Sequence, residues 1–136
     1  MVRIIMHGCN GKMGQVITRL AAEDGNCQIV AGIDTFRGIE NTYPVFDNLK
    51  DCDVEADVVI DFSNAKAVDG LLEACCEKKL PVVLCTTGLS EEQLQKVEDA
   101  AKETAVLKSA NMSLGINLLM RLLKDAAKVL APAGYD

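Results

Sequence analysis

Two hydrophobic periods alternate along the chain. Val2 to His7 is a short, apolar, β-branched run, the signature of a buried strand. From Gln15 to Glu23 the spacing changes, and Val16, Ile17, Leu20 and Ala21 fall on one face of a helix that Gly25-Asn26 stops. Gln28 to Asp34 reads as a second strand ending in an acid. The stretch Thr35 to Asp53, with Gly38, Asn41, Pro44 and Asn48, reads as loop with a short strand near Val45. Ala56 to Phe62 is a third strand, and Asn64 to Lys79 a helix with Leu71, Leu72 and Cys75 on one face. Pro81 to Cys85 is the next strand. Ser90, with Gln93 three residues on, opens a helix to about Glu103 in the capping-box pattern. Ala105 to Leu107 is a short strand, and Leu114 to Ala131 a long final helix that Pro132-Ala133-Gly134 ends.

Strands that alternate with helices form a parallel sheet covered on both faces. Right-handed crossovers then favour an α/β, Rossmann-type doubly wound sheet. The length of 136 residues gives one domain, read as residues 1–131, with 132–136 opening a connection to something further.

Composition narrows the function. Hydrophobic residues make up 49% and charged residues 25%, which excludes a wholly disordered chain. A formal charge of −6 and a pI near 4.8 argue against nucleic acid as a partner, because neutralising phosphates takes a basic face. Aromatic residues are only 4%, with no Trp, so platforms for stacking bases are scarce too. No apolar run reaches the roughly 18–20 residues of a membrane span, and the apolar start is too short for a signal peptide. The six cysteines are expected to be reduced thiols in a cytoplasm. Cys75-Cys76 is not a CxxC pair and His7 is the lone histidine, so no zinc site is expected.

Chemistry concentrates where the first strand meets the first helix. The connection reads Gly8-Cys9-Asn10-Gly11-Lys12-Met13-Gly14. Gly8 allows a sharp exit from the strand, Gly11 lets a diphosphate approach the backbone, and Gly14 lets helix and strand pack closely. Free amides and the positive dipole end at the helix start suit phosphates. The spacing is GxxGxxG, with Cys9 in the usual place of a glycine, and a tight connection without any ligand is the alternative. Asp34, 20 residues beyond Gly14, adds a carboxylate that can accept from both ribose hydroxyls of an adenosine and so favours NAD over NADP. Either Lys12 or Arg37 can instead pair with a 2′-phosphate. A Walker-type loop is excluded, since Met6 and Met13 stand where Gly and Ser or Thr would be needed.

Ligands on such sheets bind beyond the carboxyl ends of the strands. Asp61-Phe62-Ser63-Asn64, Cys85-Thr86-Thr87-Gly88 and Ser109-Ala110-Asn111-Met112-Ser113 lie at three of those ends. Thr86, Thr87 and Asn111 can hold a nicotinamide amide or simply cap strand and helix ends. Phe62 can line a cofactor groove or belong to the core. Cys85 has no base beside it to make it a nucleophile, so it offers backbone only. His7 ends a buried strand with no evident acid partner and reads as a packed or hydrogen-bonded histidine rather than a catalytic one.

Taken together, these motifs resemble the 4-hydroxy-tetrahydrodipicolinate reductase (dihydrodipicolinate reductase) family of lysine and diaminopimelate biosynthesis. GCNGKMG resembles the family's GxxGRMG or GxxGKMG turn, Asp61-Phe62-Ser63 its DFT or DFS, Cys85 to Gly88 its GTTG, and Ser109 to Asn117 its APNFSxGVN. The resemblance implies an oxidoreductase that uses NADH or NADPH. It carries cofactor contacts onto Gly8, Cys9, Asn10, Gly11, Lys12 and Met13, onto Asp34, onto Cys85, Thr86 and Thr87, and onto Ser109, Ala110, Asn111 and Met112. Cys85 for Gly, Met112 for Phe and Ser109 for Ala are departures. The family's substrate domain, with a His-His pair, a Lys and a Ser-Gly-Thr segment, has no counterpart here. The chain is therefore expected to be the cofactor half of the enzyme, inactive by itself. Its apolar last helix (Leu118, Leu119, Leu122, Leu123, Ala126, Val129 and Leu130) wants a partner on more than one side. The resemblance also implies a homotetramer for the full-length enzyme and a monomer or non-native dimer for this chain. A free-standing dinucleotide-sensing module, dimerising through that helix, is the alternative. Another two-domain dehydrogenase of semialdehyde or homoserine type fits the CTTG and SANMS segments less well.

Overall fold

The computed structural model describes residues 1–110 and 112–135. Its elements follow in the order β1 (Val2–His7), α1 (Lys12–Glu23), β2 (Cys27–Ile33), β3 (Val45–Phe46), β4 (Val58–Asp61), α2 (Ala65–Lys78), β5 (Val82–Leu84), α3 (Glu91–Ala100), β6 (Val106–Lys108) and α4 (Leu114–Leu130), with a 3-10 turn at Ala131–Ala133. One six-stranded sheet forms, in the order β3-β2-β1-β4-β5-β6. Every neighbouring pair is parallel. The chain thus starts in the middle, winds outward to β3, then crosses back to β4 on the other side of β1. That reversal opens a crevice beside β1.

Alternating side chains of β1 feed two cores. Ile5 joins Val59, Val82, Leu71, Leu72 and Cys75 in the larger core, towards α2 and α3. Met6 points the opposite way, into a smaller core with Cys9 and Tyr43. A central parallel strand is covered on both faces, which is why β1 reads as continuous apolar sequence.

The helices begin as their sequences dictate. Ser90 accepts from the Gln93 amide while Gln93 returns a bond to the Ser90 amide, completing the capping box. Asn64 caps α2 by accepting from the Lys66 amide. By contrast, α1 starts at Lys12, three residues before the expected Gln15. The last part of the glycine connection is already its first turn. Its N-cap is Gly11, which offers no side chain.

No residue of α4 is buried. Leu118, Leu119, Leu122, Leu123, Val129 and Leu130 are all exposed, so the apolar face read from the sequence has no cover among the described residues.

Candidate functional site

The rim above the carboxyl ends of β1, β2 and β4 carries a cleft of about 520 Å³. Gly8 and Gly11 form its floor, Asp34 and Thr35 one end, Phe62, Ser63 and Asn64 the other, with His7, Asp47 and Lys66 along the side. A hollow of equal volume lies between α2 and α3, lined by Asp69, Glu73, Cys76, Lys96, Asp99 and Glu103. It sits away from every strand end, and each of its acids is paired with a lysine: Asp69 with Lys96, Glu73 with Lys50, Asp99 with Lys102 and Glu103 with Lys79.

Two glycines shape the floor. Gly8 has φ of +80°, and a Cβ there would fall 2.7 Å from the Phe62 carbonyl oxygen. At Gly14 a Cβ would lie 2.3 Å from the Gly8 carbonyl oxygen. The first position needs a left-handed turn and the second a helix seated directly on that turn. Gly11 donates to Gly8 at 3.1 Å and accepts from Gln15 at 3.0 Å, which closes the loop. Lys12, Met13 and Gly14 stand in the first turn of α1, where amides have no intrahelical acceptor, and no side chain caps them. Three donors and a positive dipole end are therefore available to an anion.

Asp34 stands one residue beyond β2. Its Oδ2 accepts from the Asn10 amide at 3.0 Å and its Oδ1 from the Phe36 amide at 2.9 Å. These bonds lock the carboxylate against the glycine turn. About two of its four lone-pair directions stay open, enough for two hydroxyls. Asn10 is itself buried, donating to the Phe36 carbonyl and accepting from Asn41. It is thus a brace for the loop after β2. Arg37 reaches Asp47, on the side of the cleft, at 2.5 Å, so its charge is paired there.

The other residues singled out in the sequence divide by depth. Cys9 is fully buried, its sulfur so close to Gly32 that a Cβ there would lie 2.5 Å away. Burial pushes its thiol up to about 11. Only its backbone faces the turn. Lys12, Met13, Thr87, Ala110 and Met112 are exposed, and Ser109 is half-buried. Ser109 extends the sheet by donating to Leu84 at 3.0 Å. Cys85 is buried, its amide given to Asp61 and its thiol pushed up to about 11 by burial and by the Asp61 charge. Asn111 lies outside the described residues. Of the expected contacts among the described residues, Gly8, Gly11 and Asp34 line the cleft, and the others are not part of its lining.

One expectation fails. His7 does have an acid partner. Its Nδ1 lies 2.6 Å from Asp61 Oδ1, across the β1–β4 pair. Asp61 is fully buried and also accepts from the Ser63 hydroxyl at 2.6 Å, the Ser63 amide at 3.1 Å and the Thr86 hydroxyl at 2.6 Å. Burial pushes this carboxyl up, but the His7, Ser63 and Thr86 donors outweigh it and hold the group below the usual carboxylate range. The partner is 54 positions away in sequence, so only the parallel register could reveal it.

Lys66 and Asp47 were not singled out either. Lys66 did leave a signal. A lysine in the first turn of a helix opposes the dipole, an arrangement that makes sense beside a bound anion.

Comparison with known proteins assigns the lineage. Residues 2–112 match the family described as "Dihydrodipicolinate reductase, N-terminus". This chain belongs to the dihydrodipicolinate reductase family. It is 51% identical over 140 residues to the 4-hydroxy-tetrahydrodipicolinate reductase of Caldanaerobacter subterraneus subsp. tengcongensis, covering 100% of this chain and 53% of that protein. The Clostridium tetani enzyme of the same name is 48% identical, covering 96% of this chain and 51% of that one. The chain thus spans about half the length of the curated relatives it matches. Among solved structures, a dipicolinate-bound dihydrodipicolinate reductase from Paenisporosarcina sp. TG-14 superposes with a TM-score of 0.79 at 25% identity, covering 95% of this chain and 54% of that one. An apo scyllo-inositol dehydrogenase from Lactobacillus casei shares the fold, with a TM-score of 0.69 at 15% identity. Of the departures from the family's segments, Cys85 is buried with an ordinary backbone conformation, Ser109 is half-buried and Met112 is exposed.

Proposed function

We propose that this chain binds NADH or NADPH across the cleft and is the cofactor-binding part of a 4-hydroxy-tetrahydrodipicolinate reductase of lysine and diaminopimelate biosynthesis. The observation that carries the reading is the uncapped start of α1, which opens beside Gly8 and Gly11 with Asp34 fixed at the far end of the same cleft.

Each residue then has a task. The amides of Lys12, Met13 and Gly14 hold the diphosphate, and the Lys66 ammonium adds a balancing charge. Asp34 accepts from the adenosine ribose hydroxyls, its own charge disfavouring a 2′-phosphate. Thr87, Ser109, Ala110, Asn111 and Met112 border the nicotinamide end, where the Cys85 and Thr86 backbone completes the wall. When bound, the nicotinamide supplies the hydride that reduces a cyclic dicarboxylate; the protein's part is to orient the ring and shield it from water. The six thiols are free, and a cytoplasmic setting belongs to this proposal.

Titrating the 136-residue chain with NADH and NADPH, followed by fluorescence and calorimetry, tests the reading. Saturable binding is expected. Asp34→Ala should lower NADH affinity by at least about tenfold, since hydrogen bonds to a charged group are worth ~1.5–3 kcal/mol, and should lower NADPH affinity less. If neither dinucleotide binds at millimolar concentration, the proposal is wrong.

A further inference from the structure

We propose that His7 is a contact residue for the ribose on the nicotinamide side of the dinucleotide, accepting a hydrogen bond from one of its hydroxyls through Nε2. The inference rests on the dinucleotide reading above and adds to it a residue that the cofactor motifs do not contain.

Three observations carry it. First, His7 is 7% exposed, and Nδ1 has its partner in Asp61 at 2.6 Å, whereas Nε2 has none among the described residues. No sealed side-chain nitrogen or oxygen there lacks a partner. Nε2 is therefore accessible, and His7 lines this cleft as well as the adjoining hollow beside Asn48, Leu49 and Lys50. Second, the Asp61 carboxylate fixes the tautomer. An ionised carboxylate can only accept, so Nδ1 carries the proton, and in the neutral ring Nε2 then presents a lone pair. A lone pair suits a hydroxyl donor and repels a phosphate oxygen. Third, the pairing with Asp61 draws the ring towards β4. Asp34 lies beyond β2, on the opposite side of β1. With the adenosine ribose at Asp34 and the diphosphate over the glycine turn, the next hydroxyls along the ligand are those of the second ribose. Phe62, Ser63 and Asn64 line the same end of the cleft. Asp61 then acts as a positioning residue, holding the imidazole through a bond that no ligand needs to touch.

Because His7 is the lone histidine, its ring nitrogens can be followed without ambiguity in the wild-type chain by 15N NMR. ADP-ribose and NADH should move the Nε2 resonance, whereas ADP, which lacks the second ribose, should leave it in place. His7→Asn provides the second arm. The asparagine amide can occupy the Nδ1 position and keep the bond to Asp61, while the cleft-facing atom is gone. Affinity for NADH and ADP-ribose should fall roughly three- to tenfold, the worth of one hydrogen bond, with ADP affinity and melting temperature unchanged. Three results would overturn the assignment: an Nε2 resonance that ignores saturating NADH, an equal response to ADP and ADP-ribose, or a response to NADH alone, which would place the contact at the carboxamide. Failure of the wild-type chain to bind any of these ligands would instead remove the dinucleotide reading, and this inference with it.

Discussion

Removing the Asp61 carboxylate is the most severe single change expected at the rim. Its oxygens take the His7 ring nitrogen, the Ser63 hydroxyl and the Thr86 hydroxyl, each at 2.6 Å, and so join the ends of β1, β4 and β5. In Asp61→Ala the Ser63 hydroxyl can turn to water, but His7 and Thr86, 7% and 5% exposed, cannot do so freely. Two buried polar groups without partners cost about 1–3 kcal/mol each. We expect a loss of ~3–5 kcal/mol, or a fall of ~10–15 °C in melting temperature for a chain of this size. Asp61→Asn keeps the shape and one acceptor, so roughly half that loss is expected. The pH dependence gives a second reading of the same group. Because the folded carboxyl sits below its ordinary range, its contribution is fully present above the unfolded value of about 4. It disappears as pH falls through the lower folded value. Urea melts of wild type and Asp61→Asn should therefore differ by a constant amount from about pH 7 to 5, then converge below about pH 4. A melting temperature for Asp61→Ala close to that of wild type, or a gap that persists at acid pH, would refute the reasoning.

Gly14→Ala should damage binding more than folding. Alanine gains about 1 kcal/mol of helix propensity but forces its Cβ against the Gly8 carbonyl, an overpacking worth ~1–3 kcal/mol that pushes the start of α1 away from the turn. NADH titration and thermal melting on the same sample will separate the two effects, and unchanged affinity would count against the role given to the α1 amides. Mild alkylation of the native chain near neutral pH, read by mass spectrometry, should modify Cys27 and Cys76, which are half-buried, before Cys9, Cys52, Cys75 and Cys85. Burial pushes Cys9 and Cys85 up to about 11 and Cys75 up to about 12. A folded thiol raised in this way contributes stability that is lost as pH climbs past the unfolded value of about 8.5, so alkaline melts should fall off there.

The sheet was legible because its strands are written as unbroken apolar runs and its helices carry their own caps. Ser90 with Gln93 is a local pattern that needs no tertiary knowledge. Gly8, Gly11, Gly14 and Asp34 were legible for a similar reason, since they sit at fixed offsets around one strand-helix junction. The His7–Asp61 pair was not. Nothing near either residue announces it, and the two meet only when β1 and β4 align in parallel, His7 opposite Asp61. Asn10 carries a role that the turn pattern did not announce: its side chain braces the loop after β2 through Phe36 and Asn41. The helix begins at Lys12 instead of Gln15 because its first turn holds Gly14 inside the glycine connection, where hydrophobic spacing does not mark a helix.

The order of the strands also sets a timetable. His7 leaves the ribosome well before its partner Asp61, which follows 54 positions later, and Thr86 comes another 25 after that. Between those moments the newborn middle strand has only β2 beside it and one open edge. Pairings across such long stretches close slowly, so the rim above β1 matures late in folding even though its floor is translated before the strands that complete it.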